Sequence, residues 1–516
     1  MHRELPSPPD PIGPSSDGSR LLGSAGLRAK VTRGSVWTLV GYGSGQALRL
    51  LNNLILWRLL YPEAFGLMAI VSVCQVGLAM FSDIGIGPGI VQHERGDDPI
   101  YLNTAWTIQV VREFLLCAAA CLIAAPIAAF YHEPQLAQLL PAAALASLVS
   151  GFNSTRLFTA TRTISLGRIT AVDLAAQSAS LVVMIGWAWL HRSIWALIAG
   201  SAVYNVIKMV LSHTFLPGIR NRFRWDPTCA RAMLRFGRWI FFSTLLTFIV
   251  MQSDRLIFGK LIPMGMLGVY SVATTWAGMP FAIVSRVFST VIFPLLARVH
   301  HEGANFSQIL RNTRRPWLIL GGCATACLVS AGPTLIHLLY EPRAENAGWI
   351  IQVIGSGVWL LSLESANGVA LLALGQPKWL AAGNAAKLVG MVLLIPLGYS
   401  SFGFPGAVVA LAGTELLHYA ATTVGAYRRR VACLSQDARF SGLVLLTIAL
   451  GLAVAHFVPP AIHALGLRPA KLGTLLELVA ITTCASAIWG YAYWLHRQHW
   501  SRAGETAPAG EAAAHA

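Results

Sequence analysis

The sequence predicts an all-α polytopic membrane protein with about fourteen transmembrane helices, and three observations carry this. Of 516 residues, 55% are hydrophobic and only 12% charged, with a mean hydropathy of +0.59. A soluble domain carries about 25% charged residues, so this chain has too little charge to cover itself in water. The apolar residues gather into recurring windows of about 18 to 25 residues, the length a helix needs to cross the bilayer. Finally, 38 Lys and Arg oppose 22 Asp and Glu, giving +16. In a soluble chain that balance would suggest nucleic acid; here basic residues collecting in cytoplasmic loops account for it. A soluble enzyme is excluded, and no nucleic-acid partner is expected.

Residues 1–33, rich in Pro, Ser and Gly and without an apolar stretch before Val31, read as a flexible cytoplasmic tail with no cleavable signal peptide. Six windows follow, at 34–60, 66–87, 104–130, 136–155, 169–190 and 195–216, forming one unit over 34–216. The stretch 217–237, with Arg220, Arg222, Arg224 and Arg231, is a basic cytoplasmic linker. A second unit, 238–427, holds windows at 238–261, 267–297, 316–340, 347–374, 379–399 and 404–427. After the run Arg428, Arg429, Arg430 come two more windows, 441–458 and 472–495, within 428–496; the Ala-, Gly- and Glu-rich 497–516 reads as a disordered tail. An even number of spans puts both termini on one side. The basic clusters make that side the cytoplasm, and Trp189, Trp195, Trp239, Trp317 and Trp494 sit near span ends as an aromatic belt does.

No outside loop exceeds about fifteen residues, a length typical of mere connections, so there is no room for an extracytoplasmic catalytic domain and the chain is expected not to be an enzyme. Six of the eight cysteines fall in apolar windows (Cys74, Cys117, Cys121, Cys323, Cys327, Cys484) and two, Cys229 and Cys433, in loops, so no disulfide framework is expected. No cofactor or metal site is expected either. The glycine-rich stretches 41–45 and 85–89 follow no strand and lack Gly-Lys-Ser/Thr. His93 and Asp98 lie in a loop too short to be catalytic, and the Cys117/Cys121 and Cys323/Cys327 pairs read as small packing residues.

A shift of 202 residues lays Asn52-Asn53-Leu54-Ile55-Leu56-Trp57-Arg58-Leu59-Leu60 on Asp254-Arg255-Leu256-Ile257-Phe258-Gly259-Lys260-Leu261-Ile262, and Phe65-Gly66-Leu67 on Leu267-Gly268-Val269. Polar, apolar and basic positions agree without a gap. The first and seventh windows run the same way through the membrane, as duplication of a six-helix unit requires. The implied design is two parallel six-helix lobes related by an axis along the membrane normal, with a site where they face each other.

Several stretches resemble the polysaccharide transporter family, the Wzx-type flippases for lipid-linked oligosaccharide. They are Phe65-Gly66-Leu67-Met68-Ala69, then Asp83-Ile84-Gly85-Ile86-Gly87 leading into Val91-Gln92, and Asn103-Thr104-Ala105-Trp106. Asp254-Arg255-Leu256-Ile257-Phe258-Gly259, Leu267-Gly268-Val269-Tyr270 and Phe293-Pro294-Leu295-Leu296-Ala297-Arg298 resemble it too. The resemblance extends to about Tyr427. It implies the fold of the multidrug/oligosaccharidyl-lipid/polysaccharide exporter superfamily: two six-helix lobes forming a V-shaped central cavity, plus two C-terminal helices found in some relatives. It also implies a function, translocation of undecaprenyl-diphosphate-linked oligosaccharide units across the bacterial inner membrane by alternating access, for surface polysaccharide or exopolysaccharide synthesis. Membrane lipid would surround the chain, and a polysaccharide polymerase with chain-length machinery would be its partners. The second reading is a cation-coupled multidrug exporter of the same superfamily. It is disfavoured because a hydrophobic cation would want an acid in the first lobe, where the first helix offers Gln46, Arg49, Asn52 and Asn53.

A charge at the bilayer centre costs at least ~2.5–3.5 kcal/mol, so such residues face a wet cavity or a partner. Those to explain are Arg49, Asp83, Arg112, Glu113, Asp173, Lys208, Asp254, Arg255, Arg286, Glu364, Lys387 and Glu415; near span ends Arg58, Asp173 and Lys260 can snorkel. Gln46, Arg49 and Asn53 share one helix face near mid-depth. With Arg255 and Arg286 of the other lobe, they are the expected cationic patch for the lipid diphosphate, which a planar guanidinium can grip with two hydrogen bonds; pairing with carboxylates to fix helix packing is the alternative. Asp254, Glu364 and Glu415, with Asn384 and Lys387, are the expected ion-coupling group for H⁺ or Na⁺. Lys387 puts Na⁺ in doubt, and a static Glu–Lys network is the alternative. Arg112 and Glu113 are adjacent, point to different sides of their helix and each call for another partner. With no ATPase module in view, energy would come from an ion gradient, the membrane potential or removal of product.

Overall fold

The computed structural model describes residues 43–82, 85–92, 95–163, 166–302, 305–464 and 470–505. The two predicted tails, apart from residues 497–505, together with Asp83 and His93, lie outside the described residues. All regular structure among those described is helical. The N-terminal half comprises 43–59 (α1), Pro62–Phe81 (α2), Ile86–Gln92 (α3), Pro99–Tyr131 (α4), Leu136–Leu148 (α5), Arg156–Arg162 (α6), Leu166–His191 (α7) and Trp195–Thr214 (α8). The C-terminal half comprises Pro227–Leu261 (α9), Met264–Ala277 (α10), Met279–Val287 (α11), Phe293–Glu302 (α12), Phe306–Leu339 (α13), Asn346–Ala373 (α14) and Pro377–Arg428 (α15). Leu434–Ala464 (α16) and Ala470–Glu505 (α17) follow and pack on α13.

Among the described residues nine helices are long and apolar enough to cross a membrane, or eleven if each of two bent pairs counts as one span. Leu122, Val182, Trp189 and Phe402 are each at least 70% exposed, a surface that lipid, not water, would cover.

The helices depart from the predicted windows where side chains say why. The window 136–155 is broken. After α5 and one 3₁₀ turn the chain bends by 58° into α6, and the backbone amides freed there find side-chain partners. Ser154 N donates to Ser212 Oγ (2.9 Å) and Thr155 N to Asn221 Oδ1 (3.2 Å). The window 267–297 bends by 42° between α10 and α11 at Gly278, with Pro280 opening the second segment. The seventh helix starts earlier than its apolar window, at Pro227, because Asp226 caps it: Oδ1 accepts from Thr228 N (3.0 Å) and Cys229 N (2.8 Å). The Thr228 hydroxyl bound to that carboxylate and the Cys229 amide hold its pKa down to about 2. The windows 379–399 and 404–427 are the two arms of α15, which turns at Gly403 (φ +64°). The arms close tightly beside the turn, since a Cβ on Gly398 would stand 2.5 Å from the Gly406 carbonyl oxygen.

The halves meet through two copies of one contact. Gly66 on α2 lies under the carbonyl of Met264, where a Cβ would come within 2.0 Å of the oxygen; Gly268 on α10 lies under the carbonyl of Pro62, at 2.1 Å. Met264 and Gly268 are Pro62 and Gly66 shifted by 202 residues, so the contact is reciprocal, as a local two-fold axis requires. The flanking contacts repeat it. Arg58 at the end of α1 donates to the Leu339 carbonyl that ends α13 (3.1 Å), and Lys260 at the end of α9 donates to the Phe130 carbonyl near the end of α4 (2.5 Å). The two basic side chains expected to snorkel therefore cap helix ends across the interface. Leu56, Trp57, Phe258 and Tyr270 fill the apolar layer beneath.

Candidate functional site

A cavity of about 560 Å³ opens inside the N-terminal half between α1, α2, α5, α7 and α8. Its wall mixes amides and hydroxyls with Leu48, Leu174, Leu181 and Met184 and is mostly uncharged. Gln177 Nε2 donates to the Gly45 carbonyl (3.0 Å), Gln75 Nε2 to Ser147 Oγ (3.0 Å), Asn205 Nδ2 to the Ala146 carbonyl (3.0 Å) and Ser180 Oγ to the Gly200 carbonyl (2.7 Å). Each of the three amides is thus fixed at its nitrogen. Asn52 Nδ2 reaches only Met184 Sδ (3.5 Å), and its buried Oδ1 has no hydrogen-bond partner.

Two charged side chains line the cavity, and one of them is neutralised by a neighbour outside it. Asp173 is bound by Lys208 Nζ at 2.8 Å and by the Tyr204 hydroxyl at 3.4 Å. Arg49 is exposed, holds itself by Nε to the Gly45 carbonyl one turn back (3.4 Å), and has no carboxylate among the described residues within ion-pair distance. Among the described residues the cavity therefore carries one guanidinium without a counter-charge, suited to an oxyanion with two acceptors.

Of the other residues expected beside Arg49, Gln46 is half-buried on the same helix but does not line the cavity, and neither do Arg255 and Arg286, the latter exposed on α11. Asn53 is used elsewhere: its Oδ1 accepts from the Tyr340 hydroxyl (2.9 Å), which in turn accepts from Trp276 Nε1 (3.0 Å), in the contact between the halves. Arg112 and Glu113 correct the expectation that they diverge. Their long side chains converge to 3.7 Å, while Arg112 also donates to Ser82 Oγ (2.9 Å) and the Ala79 carbonyl (3.3 Å).

The C-terminal half gathers part of the expected ion-coupling group. Lys387 Nζ lies 2.5 Å from Glu415 Oε1 between the two arms of α15, and Glu364 of α14 stands beside them. Half-buried Asn384 is not among these contacts, and Asp254 on α9 instead accepts from the Tyr270 hydroxyl (2.5 Å), its other oxygen buried without a partner. Sequence reasoning missed His418, which stands between Glu364 and Glu415; the signal was present as the three-residue spacing from Glu415, which puts both on one face. It also missed Arg314, fully buried on α13 and ion-paired with Asp437 of α16, whose other oxygen accepts from the Tyr419 hydroxyl (2.8 Å). Nothing in the local sequence joins positions so far apart.

Comparison with known proteins agrees with this architecture. Residues 55–343, more than half of the chain, match the family described as polysaccharide biosynthesis protein. The succinoglycan biosynthesis transport protein ExoT of Rhizobium meliloti (strain 1021) is 23% identical over 285 residues, 54% of this chain and 56% of that protein. The amylovoran biosynthesis protein AmsL of Erwinia amylovora is 25% identical over 256 residues, 49% of this chain and 66% of the relative. In both cases less than two thirds of the relative's length is spanned. Among solved structures, the lipid II flippase MurJ in an inward closed conformation is similar, with a TM-score of 0.66 at 11% identity over 89% of this chain and 98% of that one. At that identity the likeness shows the fold, a polytopic helical membrane fold.

Proposed function

This chain belongs to the polysaccharide biosynthesis protein family, and we propose that it translocates undecaprenyl-diphosphate-linked oligosaccharide units across the bacterial inner membrane. In this reading fourteen helices form two six-helix lobes, 34–216 and 238–427, joined by the basic linker 217–237 and followed by two further helices within 428–496, with both termini in the cytoplasm. The lobes rock about the reciprocal Gly66/Gly268 contact, alternately opening the space between them to either side. The polyprenyl chain stays in lipid while the head group passes through the polar interior.

The observation that carries the reading is Arg49, a cation without a counter-charge among the described residues, on the wall of a cavity that also presents the amides of Asn52, Gln75, Gln177 and Asn205. Its guanidinium would take two oxygens of the diphosphate, and the surrounding amides would exchange hydrogen bonds with sugar hydroxyls. Arg255 and Arg286 would meet the diphosphate at other stages of the passage. Glu364, Glu415 and Lys387, with Asp254 and Asn384 nearby, are the groups through which H⁺ or Na⁺ would couple to the movement. A hydrophobic cationic drug finds no such welcome, because the one carboxylate at the cavity, Asp173, is already bound by Lys208.

The test is complementation. In a strain lacking its oligosaccharide flippase, the chain is expected to restore surface polysaccharide, measured by immunoblotting or phage sensitivity. A membrane-inserted chain that leaves the polysaccharide absent, while raising resistance to cationic drugs, would reverse the assignment.

A further inference from the structure

We propose that Glu364, Lys387, Glu415 and His418 form a site for one proton, taken up by the His418 imidazole. The site stands on its own geometry; only its coupling to transport rests on the flippase reading.

Glu364, Lys387 and His418 are each no more than 8% exposed, and the Glu415 side chain is 13% exposed. Two carboxylates and one ammonium leave the group at −1 while the imidazole is neutral, and at zero once it is protonated. In a helix bundle surrounded by lipid an uncompensated charge is unfavourable, so the neutral total is the stable one.

The geometry shows where the proton goes. His418 Nε2 lies 3.5 Å from Glu364 Oε1 on one side, and Nδ1 lies 3.7 Å from Glu415 Oε2 on the other. Both Nδ1 and Oε2 are buried without a hydrogen-bond partner. A neutral imidazole has a single N–H and can serve one neighbour; an imidazolium donates from both nitrogens and serves both. A sodium ion would need converging oxygens, but the ring fills the space between the two carboxylates and Lys387 already holds the remaining Glu415 oxygen at 2.5 Å. The backbone makes room for this arrangement. A Cβ on Gly383 would stand 2.8 Å from His418 Cδ2, and one on Gly368 would stand 3.1 Å from Glu364 Oε1.

The other titratable groups within electrostatic reach are Tyr270 of α10 and, through it, Asp254 and Arg255 of α9. Protonation at His418 is thereby felt on the two helices that carry the contact between the halves, which is how proton uptake would bias the rocking movement.

Solid-state NMR of the full-length chain in lipid bilayers, labelled with ¹⁵N-histidine, tests this without any transport substrate. One histidine signal, absent in His418→Gln, is expected to pass from neutral ring to imidazolium within pH 5 to 9. Glu364→Gln, which leaves the group neutral without the proton, is expected to weaken proton binding by at least about tenfold, a midpoint shift of one pH unit. Lys387→Met is expected to strengthen it by a similar factor. A His418 ring locked in one form across that range, or a midpoint that neither substitution moves, overturns the site. A site that titrates as stated in a chain that moves no oligosaccharide would overturn the flippase reading alone.

Discussion

The two halves of the molecule touch through the same contact and yet differ inside. Where α2 and α10 cross, Gly66 and Gly268 perform one task twice, each admitting the other half's backbone. Away from that crossing, the N-terminal half encloses a cavity of about 560 Å³ with Arg49 on its wall, whereas the C-terminal half fills its polar interior with charged side chains, Lys387 with Glu415 and Glu364 beside His418, and Arg314 on α13 pairs with Asp437 of α16. The difference teaches that a contact can be repeated in both halves while each interior takes on its own chemistry. An open interior is suited to a guest; a filled one is suited to holding or exchanging a charge.

Substitutions can break or sharpen this contrast, and the largest effect is expected in the filled half. Arg314→Ala leaves Asp437 buried beside only a tyrosine hydroxyl and should cost about 3–5 kcal/mol, seen as a large drop in the thermal unfolding temperature in detergent. Arg314→Met with Asp437→Leu should recover much of that loss, because an apolar pair needs no counter-charge; a double variant as unstable as the single one would mean the pair does more than balance charge.

Next comes the shared contact. Gly66→Ala and Gly268→Ala each force a methyl group onto a backbone oxygen, at a cost of about 1–3 kcal/mol. Reciprocity predicts similar losses, and a double variant that loses less than their sum, since once the crossing has opened the second methyl meets space. Unequal, additive losses would argue against a two-fold contact.

The smallest effect lies outside the membrane segments, at the Asp226 cap. Its carboxyl titrates below the usual range, so the cap is intact above the unfolded value of about 3.9 and is lost only as pH falls through about 2. Thermal unfolding between pH 5 and 8 should therefore show no pH dependence from this group, whereas Asp226→Ala should lower the unfolding temperature slightly and equally at both ends of that range.

Much of this was readable in the chain. Most apolar windows found helices because twenty or so apolar residues in a row have few other fates, and two of them, 136–155 and 267–297, are bent. The 202-residue shift was visible because Gly66 and Gly268 sit in matching surroundings, and the structure gives those glycines their reason. What stayed hidden depends on contacts between distant positions. Gln75, Gln177 and Asn205 line one cavity from three helices, and no spacing in the sequence joins them. Arg112 and Glu113 appeared to diverge because helix geometry places their Cα–Cβ bonds apart, but side chains of that length can fold back to 3.7 Å. His418 was passed over although its three-residue spacing from Glu415 puts both on one face; the carboxylate of α14 on its other side, far away in the sequence, is what gives that spacing its meaning.

The central claim is that Arg49 grips the diphosphate of a lipid-linked glycan, and reconstitution tests it most directly. Purified chain in vesicles loaded with undecaprenyl-diphosphate-linked oligosaccharide should expose the sugar on the opposite leaflet, read by lectin or glycosidase access. Arg49→Ala should lose that activity while unfolding within ±0.5 kcal/mol of the unaltered chain, since this exposed side chain holds no partner in another helix among the described residues. Undiminished translocation by Arg49→Ala would contradict the account.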